Sequence, residues 1–215
     1  MKRRLFLGTA GAALISSGML NGAMAQDAAE SESLVADMVL GDENAPVTII
    51  EYASYTCPHC ANFHANQFKE IKANYIDTGK VRFIYREVYF DRYGLWASMI
   101  ARCGGDMRFF GITSMFYERQ SEWAQGEPAQ IAANLRNIGK VAGIDDATLD
   151  ACMQNGALAE ELIAWYETNR EEDGIEGTPS FIIQGEKYSN MSYEDFAAVL
   201  DEKLEEAGYV EETAQ

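Results

Sequence analysis

The chain has 215 residues, which suits one domain or one domain that carries an insertion. Its formal charge is −17, and it becomes three units more negative without the first 25 residues, which contain Lys2, Arg3 and Arg4 but no acidic residue. So acidic a surface argues against nucleic acid and anionic membranes as partners, because both are polyanions.

The first 25 residues have the pattern of an export signal. A basic start is followed by an apolar stretch from Leu5 to Leu20 and by Ala23-Met24-Ala25, a small-x-small cleavage site. Glycines and serines interrupt the apolar stretch, so it is a poor membrane-spanning helix. Arg3-Arg4 fits a twin-arginine signal as well as a general secretory one, and both routes stay open. We expect the mature protein to begin near Gln26 and to reside in the periplasm, an oxidising compartment.

Strand and helix patterns follow in chain order. Residues 26–36 are small and acidic and predict a flexible lead-in, and residues 37–40 predict a short strand. The apolar run 47–53 predicts a buried strand, residues 58–75 predict a helix with a proline in its first turn, and residues 81–88 predict a further strand. The helix places four side chains on one face, at i, i+4, i+7 and i+11: His64, Phe68, Ile71 and Tyr75.

Residues 91–170 change in character. They are rich in helix formers and contain no convincing strand. One helix is predicted to begin at Pro128, another at Asp146, and a third around Leu158.

A strand pattern returns at residues 179–183, and a last helix with an apolar face follows it. This order predicts an α/β domain assembled from both ends of the chain, with helices inserted between the two parts. We expect the α/β domain to comprise residues 37–90 and 171–208, the helical insertion residues 91–170, and a frayed tail residues 209–215.

The four cysteines are Cys57, Cys60, Cys103 and Cys152. Disulfides persist outside the cytoplasm, so pairing is the default expectation for an exported chain. Cys57 and Cys60 pair locally as CxxC, which leaves Cys103 and Cys152 for one another; two free buried thiols are the alternative. In the chain-entropy model, closing a loop that long stabilises the fold by about 4 kcal/mol.

The stretch Cys57-Pro58-His59-Cys60 is the candidate reactive site. It follows a predicted buried strand and begins a helix, which is the context typical of a redox CxxC. A thiolate is the nucleophile in disulfide exchange, and the unpaired N–H groups and dipole of a helix N-terminus stabilise it at Cys57. His59 adds a donor and, when protonated, a positive charge. Cys60, one turn further along, is expected to be more buried and to resolve mixed disulfides.

Metal binding is an alternative use of the two thiols. Cys57, Cys60 and His64 could supply three ligands to zinc or copper, but the chain has only 2 histidines and one CxxC, so a four-ligand site lacks its second half. We therefore expect no metal site and no cofactor. His64 is interpreted as a packed or surface residue of the helix.

Glu51 lies inside the apolar strand, in the alternating row that contains Val47, Ile49 and Ala53. This row faces packed neighbours if the strand is central to a sheet. A carboxyl group there suggests proton transfer to or from Cys60 during exchange. The alternative is an acid near the end of the sheet that reaches water.

The third candidate feature is Gly177-Thr178-Pro179, where Thr-Pro opens a strand directly after a glycine. This pattern favours a cis peptide bond. A cis Pro179 that faces the CxxC would block metal binding and leave the backbone of Thr178 free to pair with an extended substrate segment. An ordinary trans proline at the start of a strand is the alternative.

Together these features resemble the DsbA family of exported thiol-disulfide oxidoreductases, over roughly residues 37–207. Residues 57–60 match the CPHC of typical family oxidases, Glu51 matches the buried acid of the family, and residues 174–179 are similar to the cis-proline loop of an α-proteobacterial subgroup. The resemblance implies an α/β, thioredoxin-like fold with an inserted helical domain, and a strongly oxidising active-site disulfide.

Two features depart from the best-studied family pattern. Thr178 stands where valine is common before the cis proline, and Cys103 with Cys152 adds a second cysteine pair. Threonine at that position is shared with reductases and isomerases. The resemblance therefore implies dithiol chemistry more firmly than it implies the direction of oxidation.

The leading hypothesis is a periplasmic dithiol oxidase that donates the Cys57–Cys60 disulfide to reduced exported proteins through a mixed disulfide. The resemblance implies reoxidation by a membrane partner of the DsbB type. A disulfide isomerase or reductase of the same fold is the alternative, and a metal-handling protein of the envelope is a third. Isomerases of this type oligomerise through an N-terminal segment, for which residues 26–36 are too short, so we expect a monomer.

Overall fold

The computed structural model describes residues 33–210. The predicted export signal (1–25), residues 26–32 of the lead-in and residues 211–215 of the tail lie outside the described residues. Across 33–210, no helix is both long enough and apolar enough to cross a lipid bilayer.

A five-stranded mixed sheet in the order β1-β3-β2-β4-β5 organises the fold. β2 lies at its centre, parallel to β3 and antiparallel to β4, while β1 and β5 pair antiparallel at the two edges. The strands are β1 (Met38–Leu40), β2 (Val47–Ala53), β3 (Val81–Glu87), β4 (Ser180–Ile183) and β5 (Glu186–Ser189). The strands predicted at 37–40, 47–53, 81–88 and 179–183 are confirmed to within a residue at each end.

The central strand β2 is packed on both faces at its carboxyl end. Val47, Ile49, Glu51 and Ala53 are all buried, as the alternating row predicts, and Tyr52 on the opposite face is buried as well. Such burial explains why the strand reads as a nearly continuous apolar run. The loop that follows β2 therefore starts from a rigid position.

The helix predicted over residues 58–75 is interrupted, so the prediction of one continuous helix is wrong. The structure has α1 (Pro58–Ala65), α2 (Gln67–Ile71) and a π-helical turn (Lys72–Ile76), with Asn66 out of helical geometry at φ −121° and ψ −89°. The Asn66 side-chain amide donates 2.9 Å back to the carbonyl of Asn62. Asparagine side chains compete for backbone groups in this way, which breaks a helix. The four side chains predicted to share one face are nevertheless all buried.

Helices fill the chain between β3 and β4, where the sequence predicts them. They are α3 (Arg92–Cys103), α4 (Asp106–Glu118), α5 (Gln120–Trp123), α6 (Pro128–Val141), α7 (Asp146–Met153) and α8 (Gly156–Glu172). A final helix, α9 (Tyr193–Glu206), has Ser192 as its N-cap, whose hydroxyl accepts a hydrogen bond from the N–H of Asp195. The inserted helices and the sheet contribute to one apolar core.

A disulfide joins Cys103 at the end of α3 to Cys152 in α7, with 6.1 Å between the two Cα atoms. This is the pairing that the sequence predicts, and it lies wholly within the inserted helices. It closes a loop with a sequence separation of 49 residues, which contains α4, α5 and α6.

A buried ion pair ties the inserted helices to the sheet. Arg102 of α3 donates two hydrogen bonds of 2.7 Å to the two carboxylate oxygens of Glu87 at the end of β3, and a third of 2.9 Å to the carbonyl of Ala36. The Arg102 and Glu87 side chains are only 8% and 2% exposed. Because a buried charge that loses its partner is costly, this pair makes the position of α3 depend on β3.

We predict that Arg102→Met destabilises the protein by about 3–5 kcal/mol, since it leaves the Glu87 carboxylate buried without a partner. Urea unfolding followed by circular dichroism measures this loss. Arg136→Met is the matched control, because Arg136 pairs with the exposed Asp146 and Asp150; its effect should stay within about 1 kcal/mol. Equal effects of the two substitutions would contradict the structural role given to the buried pair.

Candidate active site

The two thiols of the CxxC lie at the carboxyl end of β2, where α1 begins. Cys57 is the N-cap of α1 with extended backbone angles, and Pro58 occupies the first helical position. Both cysteines are free thiols. Cys57 is 8% exposed beside the exposed Pro58 and His59, whereas Cys60 is completely buried. One sulfur is therefore accessible from outside and the other lies behind it, as the sequence predicts.

Residues of the inserted helices hold the loop under Cys57. The side-chain amide of Gln120 in α5 donates to the carbonyls of Tyr55 and Cys57, at 2.8 and 2.9 Å. The hydroxyl of Thr56 donates 2.8 Å to Asp91, which is the N-cap of α3. Sequence analysis missed Gln120 and Asp91, because nothing in a helical or strand pattern marks a contact between residues so far apart in the chain.

The environment of Cys57 lowers the pKa of its thiol to about 5. The largest cause is the hydrogen bond from the Cys60 thiol, which outweighs the opposing effect of burial. Thr178 and the backbone N–H groups of Cys60 and His59 lower the pKa further. These N–H groups belong to the first turn of α1, where a helix favours negative charge. His59 thus contributes through its backbone N–H.

The environment of Cys60 has the opposite effect and raises the pKa of its thiol far above the usual range. Burial is the main cause, followed by the hydrogen bond with Cys57 and the negative charge of Glu51. At neutral pH the pair therefore consists of a thiolate on Cys57 and a neutral thiol on Cys60 beneath it. This difference suits Cys57 to be the nucleophile and leaving group, and Cys60 to be the resolving thiol.

The loop before β4 faces the accessible sulfur. The Thr178–Pro179 peptide bond is cis, and Cys57 Sγ lies 3.5 Å from the Thr178 carbonyl oxygen. The hydroxyl of Thr178 is buried, and the Thr178 side chain helps to lower the pKa of Cys57. Thr178 therefore lies where both its backbone and its side chain can interact with sulfur.

Glu51 is completely buried in the structure, so it is not an acid at the end of a sheet that reaches water. Its two carboxylate oxygens lie 2.9 and 3.2 Å from Nε2 of His64. Its negative charge also acts on Cys60. The sequence placed the carboxyl group correctly behind the thiols but did not predict its partner.

His64 is a packed residue of α1, 6% exposed, and its ring stacks on Tyr117 of α4 with 4.2 Å between the ring centroids. The contact between His64 and Glu51 could have been predicted from the sequence. A histidine on the apolar face of a helix and a glutamate inside an apolar strand each need a buried polar partner.

The structure can be compared with the alternative in which Cys57, Cys60 and His64 bind a metal ion. Among residues 33–210, no three His, Cys, Asp or Glu side chains are grouped so that they could hold a metal ion. His64, the third ligand of the metal hypothesis, directs its Nε2 toward Glu51 instead.

Comparison with known proteins identifies related sequences. The pattern of the thioredoxin family matches residues 33–202. A protein of Rickettsia bellii, provisionally named a protein-disulfide oxidoreductase, is 33% identical over 172 residues, which cover 80% of this chain and 66% of that relative. The chain thus spans slightly less than two thirds of the length of this relative.

Two solved structures share the fold. Alpha-DsbA1 of Wolbachia pipientis superimposes with a TM-score of 0.70 at 28% identity, over 81% of this chain and 94% of that one. A protein of Novosphingobium aromaticivorans, described as a protein-disulfide isomerase, has a TM-score of 0.70 at 27% identity, over 78% of this chain and 100% of that one. The fold is therefore the thioredoxin fold with an inserted helical domain, as expected.

We predict that Cys57 alkylation by iodoacetamide follows a titration with a midpoint near pH 5, because only the thiolate reacts. Mass spectrometry of the reduced protein, quenched at intervals, measures the rate at each pH. Cys60→Ala should raise the midpoint, because it removes the hydrogen bond that stabilises the thiolate most. Cys60→Ser keeps a donor at this position and should raise it less. A wild-type midpoint near about 8.5, the value of free cysteine, would contradict the assignment.

The lowered pKa also predicts how stability depends on pH. A thiol whose pKa is lower in the folded state stabilises that state above its unfolded pKa, and this contribution is lost as the pH falls through the folded pKa. The reduced protein should therefore lose stability relative to the Cys57–Cys60 disulfide form between about pH 8.5 and about pH 5. Urea unfolding of both forms across this range measures the difference, and parallel pH curves would contradict the prediction.

Proposed function

Because the chain belongs to the DsbA-like branch of the thioredoxin family, we propose that it is a thiol-disulfide oxidoreductase that donates its Cys57–Cys60 disulfide to other proteins. The observation that carries this proposal is the opposite effect of the site on its two thiols, which stabilises a thiolate on Cys57 and a neutral thiol on Cys60. No cofactor takes part in the proposed reaction.

The reaction begins when a substrate thiolate attacks Cys57 of the disulfide. The bond between Cys57 and Cys60 breaks, a mixed disulfide with Cys57 forms, and Cys60 leaves as a thiolate that takes up a proton. A second substrate thiolate then attacks the substrate sulfur of the mixed disulfide, and Cys57 leaves as a thiolate. The substrate has lost two electrons and gained a disulfide, and the protein has gained the two electrons as a reduced pair.

The environment of Cys57 favours this direction. A thiol of low pKa is a good leaving group, so the second step is fast. Stabilising the thiolate also stabilises the reduced protein, which makes the disulfide a stronger oxidant. The Thr178 carbonyl lies beside the sulfur, so an extended substrate segment attached to Cys57 can pair with the backbone at Thr178 and Pro179.

The proposal extends to place and partners. The export signal predicted at residues 1–25 supports a periplasmic protein, and its substrates are then reduced or unfolded exported proteins. The dithiol left after each reaction needs an electron acceptor, and a membrane protein of the DsbB type is the partner that the family relationship suggests. A monomer suffices for this chemistry.

Isomerase or reductase activity is the second candidate. Thr178 before the cis proline favours it, since reductases and isomerases share this residue, and the solved Novosphingobium relative is described as an isomerase. Recovery of scrambled ribonuclease activity beyond that produced by a small-molecule oxidant would support this candidate.

We predict that the oxidised protein converts a reduced dithiol peptide to its disulfide, and that Cys57→Ser abolishes this activity because no mixed disulfide can form. Peptide oxidation followed by mass spectrometry measures both. The Cys103→Ala/Cys152→Ala double variant is the matched control, since it also removes cysteine but leaves the Cys57–Cys60 pair, and it should retain activity. Undiminished oxidation by Cys57→Ser would refute the assignment of the site.

A further inference from the structure

The buried thiol poses a proton-transfer problem that the accessible thiol does not. Cys60 is completely buried, and burial, Cys57 and Glu51 all favour its neutral form. When Cys60 attacks Cys57 to close the disulfide it has to give up its proton, and when the disulfide opens it has to regain one. Each turnover therefore moves a proton between the interior and water.

Glu51 is the acid whose negative charge acts on Cys60, and it has no exposed surface from which to release a proton to water. It lies on the central strand β2. Within residues 33–210, the side-chain hydrogen bonds of Glu51 go to Nε2 of His64 alone. Any proton that leaves Glu51 along a hydrogen bond in this region therefore passes to His64.

The His64 side chain lies between Glu51 and a cleft. The cleft has a volume of about 110 Å³, enough for a few water molecules at roughly 30 Å³ each. His64 and Tyr117 form part of its wall, and the exposed Lys69 and Glu118 lie at its rim. The cleft opens between α1, α2 and α4, whereas Thr178 faces the accessible sulfur from the loop before β4.

Other polar groups around His64 are poor proton carriers. Tyr85 of β3 and Tyr117 of α4 share a hydrogen bond of 2.6 Å, and burial raises the pKa of both well above the usual value. They therefore stay neutral. Lys72, also in the cleft wall, is paired with Asp77. The remaining titratable groups are Cys60 and Glu51 on one side of His64, and Lys69 and Glu118 at the rim.

We propose that His64 conducts the proton of Cys60 between Glu51 and the water of this cleft, so that proton transfer occurs on a different face from substrate exchange. When the disulfide closes, the Cys60 proton passes to the Glu51 carboxylate and from Glu51 to Nε2 of the neutral imidazole, which gives up the proton on its Nδ1 to water. When the disulfide opens, the same steps run in reverse. The inference rests on the proposed function, and His64 acts through Glu51 rather than on the substrate.

Oxidation of the reduced protein by glutathione disulfide occurs in two steps, and only the second step requires Cys60 to lose its proton. The Cys57 thiolate first attacks glutathione disulfide, which forms a mixed disulfide and releases glutathione thiolate. Cys60 then loses its proton and attacks Cys57, which releases the second glutathione. Acid quenching and mass spectrometry follow the protein–glutathione adduct through both steps.

We predict that His64→Ala forms the adduct at the wild-type rate but resolves it at least about tenfold more slowly, in keeping with the usual effect of losing a proton-transfer group. The adduct should therefore accumulate. Free imidazole should restore the second step, because the substitution enlarges a cleft that is already open to solvent. His64→Gln keeps a side chain that can hydrogen-bond to Glu51 but cannot carry a proton, so it should slow the second step without rescue by imidazole.

The controls distinguish conduction from structure. Adding Glu51→Gln to His64→Ala should abolish the rescue, because imidazole then has no carboxylate to accept a proton from. A slow second step that imidazole does not restore in His64→Ala would show that His64 only positions Glu51, and it would overturn the inference. Resolution at the wild-type rate in both His64→Ala and His64→Gln would overturn it too, and His64→Gln keeps the test open if His64→Ala does not fold.

Failure of the proposed function gives a different result. If the wild-type protein formed no adduct at Cys57, the site assignment itself would fail. If it formed and resolved the adduct, and the His64 variants did so equally fast, the proposed exchange chemistry would stand and only the role of His64 would be refuted.

Discussion

The site depends on keeping two neighbouring thiols in opposite protonation states. Cys57 and Cys60 are separated by one helical turn, yet the N-terminus of α1 and the Cys60 thiol favour a thiolate on Cys57, while burial and the charge of Glu51 favour a neutral Cys60. The two effects reinforce each other, because the neutral thiol donates the hydrogen bond that most stabilises the thiolate. Two identical side chains thereby acquire different chemical roles from position alone.

The inserted helices contribute to this arrangement although they carry neither thiol. Gln120 holds two carbonyls of the loop under Cys57, and Asp91 binds Thr56 next to it. The Arg102–Glu87 pair fixes α3 against the end of β3. The insertion is therefore a support that limits how far the accessible sulfur can move relative to the sheet.

Local patterns predicted the parts of the fold whose cause is local. The apolar run of β2, the proline in the first turn of α1 and the Thr-Pro at the start of β4 depend on neighbouring residues, and they gave the positions of Cys57, Glu51 and Pro179 in advance. The break at Asn66 was missed because a side chain competing with the helix leaves the apolar period unchanged. Gln120 could not be found, since it lies 65 residues from its acceptor Tyr55. The Glu51–His64 contact could have been predicted, because each of the two residues is a polar side chain on an otherwise apolar face.

The loop closed by Cys103 and Cys152 contains α4 and α5, and with them Tyr117 and Gln120. The helices that support the reactive loop thus lie within a segment that is closed covalently only when Cys103 and Cys152 are oxidised to a disulfide. In a newly synthesised copy these two cysteines are themselves unpaired thiols, of the kind that the mature protein is proposed to oxidise. Each molecule therefore receives one lasting disulfide while it matures, through the same kind of thiol oxidation that it is proposed to carry out on other proteins.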